Sequence, residues 1–570
     1  MATQVQLEVA AAPAPARHNS TLLMLALAGV AALAVVAPFF FLGNASGHDF
    51  EFHLASWMEV ARQWRAGVLY PRWAELANWG FGEPRFIFYP PASWMLGAAL
   101  SFIFPWSMVP GAFIWLALTL AGIAMFTLAR EYLPASDAIA AGILFAINPY
   151  HLVLVYWRSD FAELLASALT PLAVLFAMRT ATEPKRAWLP LALVTAGLWL
   201  CNAPAAVVVS YMMALILVVV AAREGSARPW AYGGLALALG LALVAFYLVP
   251  AAFEQGWVNI SEVLSQGLKF PENFLFIVTP DAEHTRFNFI VSWVAVGVMA
   301  ATLAAIIGVG RWRREHSPLW WVLVSLVAVS IILMFPVTTA VWTYLPKLRY
   351  VQFPWRWLLV LDVPFALCLA AAMGRLRGAG KHAAWVMALA GLAITGFMLT
   401  RSNWWDAGGA TDFYEEHFRS GTGYFGVDEY GPRGSDHYDL NPQAPLVDLN
   451  SSRNAGSEPG PRVEVQQWAP LRKQFVVYSL EPVTAALRLL NYPAWRVEVN
   501  GKPGRASSNR QTGQMLLSLP AGVSRVQVVF AATPDRLWGD AVSAAAAVML
   551  VGLMLVSRRR LRPPSVRRPI

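Results

Sequence analysis

Residues 21–43 run for 23 positions without a charged side chain. At 1.5 Å per residue a helix of that length covers about 35 Å, more than the roughly 30 Å of a bilayer's hydrocarbon core. Further apolar runs of similar length recur along the chain. Hydrophobic residues make up 57% of the 570 and charged ones only 14%, against about half and a quarter in a soluble domain. The sequence therefore describes a polytopic helical membrane protein, in which each crossing must satisfy its own backbone. No small-residue cleavage site follows the first apolar run, so it reads as a retained helix behind a cytoplasmic N-terminus, 1–20. Cys201 and Cys368 both lie in apolar segments, which leaves no disulfide framework for an exported part.

The net charge of +9 would suggest nucleic acid only if the basic residues shared a soluble face. Here they punctuate the helices, at Arg179/Lys185/Arg186, Arg223/Arg228, Arg311/Arg313/Arg314, Arg375/Arg377/Lys381 and in the tail 558–570. Nucleic acid is excluded as a partner. Short loops this basic face the cytoplasm, so an even number of spans precedes Arg179. Residues 91–104, apolar but only 14 long, must then be re-entrant or interfacial. Twelve spans are expected, at 21–43, 109–130, 136–155, 161–179, 188–202, 204–222, 229–250, 289–310, 318–336, 355–374, 383–400 and 537–557. They form a membrane domain over 21–400 and a last helix at 537–557. Loops 44–108, 156–160, 251–288 and 337–354 and the insert 401–536 fall on the outer face, and the basic tail returns to the cytoplasm.

The insert carries 14 basic and 14 acidic residues and is neutral as a whole. Its first part, 401–460, is rich in Gly, Asp, Asn, Ser and Pro from 406 onward and reads as an irregular linker. From 461 to 536 the period changes to two, as in Trp495-Arg496-Val497-Glu498-Val499. Asn500-Gly501 follows with the positive-φ pair of a tight hairpin. A small antiparallel β-sandwich is expected there, with Trp495 in its core.

Three groups of ionisable residues stand close to the outer ends of these spans. The first is His48, Asp49, Glu51 and His53; on a helix Asp49 and His53 share a face, and their spacing matches no strong zinc signature. Apolar spacing across 57–72 suggests an amphipathic helix on the membrane surface. The second is Arg158, Asp160 and Glu163, whose plain alternative is to cap and neutralise a helix start. The third is Arg349 and Arg356, in Leu348-Arg349-Tyr350-Val351-Gln352-Phe353-Pro354-Trp355-Arg356. A guanidinium at a helix start suits a phosphate, and its alternative is to snorkel to the interface. Asp362, two turns deeper, reads as a polar contact inside the bundle.

Five motifs together resemble one family. They are Gly47-His48-Asp49 with Phe52-His53, Phe86-Ile87-Phe88-Tyr89-Pro90-Pro91, Arg158-Ser159-Asp160 with Glu163, Gln352-Phe353-Pro354-Trp355-Arg356, and Asn491-Tyr492-Pro493-Ala494-Trp495. The plan is similar to the GT-C superfamily of membrane glycosyltransferases, and within it to the bacterial membrane proteins labelled "6-pyruvoyl-tetrahydropterin synthase-related". The label is not chemistry, for nothing here offers the three-histidine zinc site of a pterin synthase. The resemblance implies inverting transfer of a sugar from a polyprenyl-phosphate carrier to a glycan, lipid or protein acceptor outside the bacterial cytoplasmic membrane. It implies Asp49 as general base, Asp160 or Glu163 as a supporting acid, and His48, His53, Arg158, Arg349 and Arg356 on substrate. Members vary in metal use, so no cofactor follows, and a divalent metal ion is left open. Two other readings stand beside it: a transporter or lipid-handling protein without covalent chemistry, and a membrane-anchored scaffold whose exported module binds a partner.

Overall fold

A computed structural model describes residues 16–376, 378–402, 405, 406, 408–450 and 460–560. Residues 1–15, most of the expected cytoplasmic N-terminus, and 561–570, most of the basic tail, lie outside that range. Helices stand at each of the twelve expected positions. Among the described residues, eight helices are long and apolar enough to cross a membrane by themselves: Ser20–Leu42, Val109–Ala129, Ala135–Arg158, Phe161–Thr182, Ala203–Glu224, Ala282–Gly308, Pro354–Arg375 and Pro534–Val556. Two bent pairs raise the number to ten, Arg228–Leu243 with Ala245–Trp257 at 74° and Ser317–Leu333 with Pro336–Tyr344 at 94°. At the other two positions, Pro184–Cys201 spends its first turn on Lys185 and Arg186 and carries Pro190 inside, and Gly378–Ser402 runs for 25 residues.

Residues 91–104 hold the ten-residue helix Pro91–Leu100, about 15 Å long and too short to cross. The expected surface helix over 57–72 is corrected. The helix runs instead from Phe50 to Arg65, and it buries Trp57, Glu59, Val60 and Gln63 alike. A helix buried on several sides needs its polar residues satisfied. Glu59 meets that need by accepting from Gln63 Nε2 at 2.7 Å and from the backbone N–H groups of Glu75 and Leu76, both at 3.1 Å.

The stretch expected as an irregular linker is also corrected. It contains the helix Gly409–Ser420, which buries Thr411 and Tyr414 and packs Phe418 on the main core. Its Gly and Asp content, read as loop, supplies the caps: Gly408 and Gly421 lie at φ 112° and 72°, and Asp406 accepts from the N–H groups of Ala410 and Thr411.

Nine strands follow: β1 Val447–Asn450, β2 Arg462–Ala469, β3 Arg472–Ser479, β4 Val483–Leu490, β5 Trp495–Val499, β6 Lys502–Gly504, β7 Ala506–Ser508, β8 Gln514–Leu519 and β9 Gly522–Phe530. They form two antiparallel sheets, ordered β1-β4-β8-β7 and β2-β3-β9-β5-β6. The Asn500-Gly501 turn has φ 53° and 75° and joins β5 to β6 with Val499 opposite Lys502. Both sheets contribute to one apolar core, where Phe475, Leu487, Trp495, Leu517 and Val528 meet Trp73 and Phe81 from the first loop. Buried ion pairs fasten this domain to the helices: Lys473 to Glu75 at 2.6 Å, and Arg536 to Glu254 at 2.7 and 2.8 Å.

Candidate functional site

The loop after the first membrane helix is sewn to the turn at 157–160 by backbone contacts. His48 N–H donates to Trp157 O at 3.2 Å, Asp49 N–H to Arg158 O at 2.8 Å, and Gly47 N–H to Ser159 Oγ at 3.0 Å. A Cβ on Gly47 would stand 2.4 Å from the Trp157 carbonyl oxygen, so only glycine permits this approach. The turn itself is made by a wide helical turn over Leu154–Arg158 and by Ser159 at φ 48°. This left-handed position, rare outside glycine, sends Arg158 toward Asp49 and leaves Asp160 to cap the next helix through Glu163 N–H at 2.9 Å.

Two acid–arginine assemblies result. Arg158 Nη2 donates to Asp49 Oδ2 at 2.5 Å. Arg356 donates from Nη2 to Asp160 Oδ2 at 3.0 Å, from Nε to Glu163 Oε2 at 2.7 Å and from Nη1 to Val351 O at 2.8 Å. Tyr150 Oη also donates to Glu163. Phe353 stands between the assemblies, its ring centroid 4.7 Å from the Arg158 guanidinium carbon and 4.9 Å from that of Arg356. A tight three-residue turn places it there: Gln352 lies at φ 68°, ψ −47°, closed by Phe353 N–H to Val351 O at 2.7 Å. Such backbone strain persists only where surroundings hold it.

These residues face a cavity of about 760 Å³ lined by His48, Asp49, Arg158, Asp160 and Arg356 among others. Exposure separates the three acids. The Asp49 side chain is 32% exposed, those of Asp160 and Glu163 only 4% and 1%. Burial alone would raise the Asp160 carboxyl, but Arg356, Arg158 and His53 outweigh it and hold it below the usual carboxylate range. Enclosure of the His48 ring, reinforced by Arg158, holds its imidazole below the ordinary range. His53 does not line the cavity; it is buried among Phe52, Trp57, Tyr89 and Phe161, and burial lowers its affinity for a proton. Glu163 stands behind Arg356. Arg349 lies apart, in a separate depression with Asn259, Tyr350 and Arg433.

The cavity also brings in residues the sequence did not single out: Asn202, His284, Arg286, Glu429 and Tyr430. The segment 427–430 is clamped, with Val427 N–H on Glu83 Oε2 at 3.1 Å and Tyr430 stacked 5.6 Å from Phe88. Burial, with Glu83 nearby, pushes the Glu429 carboxyl up to about 7. No local pattern marks these positions, because the fold alone unites them. Among the described residues no group of three or more His, Cys, Asp or Glu is arranged to hold a metal ion.

The family described as "6-pyruvoyl-tetrahydropterin synthase related domain; membrane protein" matches residues 86–404, more than half of the chain. The chain belongs to that family. No curated protein matches it in sequence. Among solved structures, the cryo-EM structure of the arabinofuranosyltransferase AftD from Mycobacteria is similar at 18% identity and a TM-score of 0.40. The match covers 66% of this chain and 26% of that one, so the chain spans about a quarter of that protein's length.

Proposed function

We propose that this family member is an inverting membrane glycosyltransferase that moves a sugar from a polyprenyl-phosphate carrier to an acceptor on the extracytoplasmic face of the bacterial cytoplasmic membrane. The observation that carries the reading is the position of Asp49: a partly open carboxylate, held by Arg158, on a cavity lined by charged and aromatic residues just past the end of a membrane-spanning helix. Water and a lipid-borne substrate meet at that level. The Asp49 carboxylate takes the proton of the acceptor hydroxyl as its oxygen attacks the anomeric carbon. The bond from that carbon to the carrier phosphate breaks, and the phosphate leaves with the electron pair. Cations on the cavity, Arg158 and Arg356 among them, offset its growing charge. Asp160 and Glu163 support the reaction by fixing Arg356.

Orientation follows from charge. The helices Ala203–Glu224, Ala282–Gly308 and Pro354–Arg375 begin at or beside cavity residues and end near Arg223, Arg311 and Arg375. By the positive-inside rule the basic ends face the cytoplasm and the cavity faces away. The resemblance of the five motifs to GT-C enzymes supports the same reading. Mass spectrometry of lipid-linked glycans in a deletion strain tests it: loss of one glycan species with accumulation of a sugar-loaded carrier is expected, and an unchanged lipid-linked pool would contradict it.

A further inference from the structure

Three arginines line the cavity, and two are already engaged. Arg158 is paired with Asp49, and Arg356 is shared between Asp160 and Glu163 with a further bond to Val351 O. A guanidinium held by two buried carboxylates has much of its charge balanced before an anion arrives, so it stabilises the departing phosphate from behind rather than as its primary contact. Arg286 differs. Among the described residues no carboxylate is in ion-pair contact with it, and its side chain is exposed on the cavity wall. Of the acids beside it, Asp281 is occupied as the helix cap, accepting from Glu283 N–H at 2.8 Å and His284 N–H at 3.3 Å, and Glu283 is open to water.

The helix that carries Arg286, Ala282–Gly308, has 27 residues and a length of about 40 Å, against a hydrocarbon core of roughly 30 Å. The excess is enough for its first turns, which carry Glu283 and Arg286, to reach the headgroup zone, the level of a lipid's phosphate. Below Arg286 on the same helical face come Phe289 and Trp293, three and seven residues on. Both are open to the surroundings, at 37% and 65% exposure. Their rings meet Phe276 at 5.8 and 5.4 Å, forming an aromatic strip that leads from the cavity rim down into the bilayer.

We propose that Arg286 is the residue that binds the carrier's phosphate, and that Phe276, Phe289 and Trp293 form the track for its isoprenoid chain. This rests on the reading of the donor as a polyprenyl phosphate, and it moves the phosphate contact away from Arg356. The test measures binding of undecaprenyl phosphate and of undecaprenol to the purified full chain in detergent by native mass spectrometry. Wild type should prefer the phosphate-bearing lipid. Arg286→Ala should lower affinity for undecaprenyl phosphate by about tenfold or more, the loss of one charge-assisted contact, and leave undecaprenol binding unchanged. Arg286→Lys should recover part of the loss, and Trp293→Ala should weaken both lipids together. Equimolar phosphatidylglycerol should not displace the bound lipid; displacement would make this a general anionic-lipid site and overturn the assignment. Undiminished binding by Arg286→Ala, with loss in Arg158→Ala, would also overturn it while leaving the donor reading intact. A wild type that does not prefer the phosphate over the alcohol would overturn both.

Discussion

Gly47→Ala adds a single methyl group, yet it should disable this protein. The new carbon would lie 2.4 Å from the Trp157 carbonyl oxygen and 2.7 Å from the Arg158 carbonyl carbon. Both obstacles are backbone, so no side-chain rotation relieves them. The strands of chain at 44–49 and 157–160 must part by about 1 Å to restore normal contact. Among the hydrogen bonds that join them, three are donated by the backbone N–H groups of Gly47, His48 and Asp49, at 3.0, 3.2 and 2.8 Å. At about 1 kcal/mol each, their loss costs about 3 kcal/mol. The same displacement carries Asp49 off its Arg158 partner, and a misplacement of about 1 Å at a reacting group costs on the order of 10²-fold in rate. Thermal unfolding in detergent should show a clear drop in midpoint, and sugar transfer in membranes should fall with it. A Gly47→Ala protein that melts and turns over like wild type would refute the claim that this close approach positions Asp49.

Other consequences can be checked separately. Arg356→Ala leaves Asp160 and Glu163 buried without their cation and should destabilise the protein by about 3–5 kcal/mol; adding Asp160→Asn and Glu163→Gln should recover much of the lost stability in the same unfolding assay. Trp495 is 5% exposed and packs on Trp73 and Phe530 with centroids 5.5 and 4.9 Å away, so Trp495→Ala should cost about 3–5 kcal/mol, seen as early protease cleavage within 460–530. Glu429 binds its proton more tightly in the fold than in the unfolded chain, where its carboxyl titrates at the ordinary 4.5. Its contribution is therefore complete below that value and lost as pH rises through about 7. Glu429→Gln should flatten the fall in melting temperature across that window, and an unchanged slope would show that Glu429 does not titrate there.

The parts of this structure that were legible in the sequence are those with a strong local period. Trp495 to Val499 alternates cleanly, Asn500-Gly501 marks its own turn, and residues 21–43 admit only a buried or membrane-embedded helix. What escaped was set by tertiary packing. The helix Gly409–Ser420 was hidden because its capping Gly and Asp residues also mark loops. The helix Phe50–Arg65 seemed amphipathic because Arg62 and Arg65 stood opposite an apolar face, yet Glu59 and Gln63 are buried with their partners. Strands β1, β6 and β7 are too short to show a period. Within the cavity, His48, Asp49, Arg158, Asp160 and Arg356 were recognisable from their places at span ends. Arg286 and Glu429 were not, since each has an ordinary local context and joins the others only through the fold.

If the Asp49 carboxylate is the base for sugar transfer, removing its basicity alone must slow turnover. Purified wild-type and Asp49→Asn proteins are given the sugar-loaded polyprenyl phosphate that accumulates in the deletion strain, and transfer to that strain's membrane extract is measured. Asparagine keeps the size of the side chain and can still accept a hydrogen bond from Arg158, but it cannot take a proton. Transfer should fall by about 10²-fold or more, with an unchanged melting temperature and unchanged carrier binding. Wild-type turnover by the Asp49→Asn protein would contradict it.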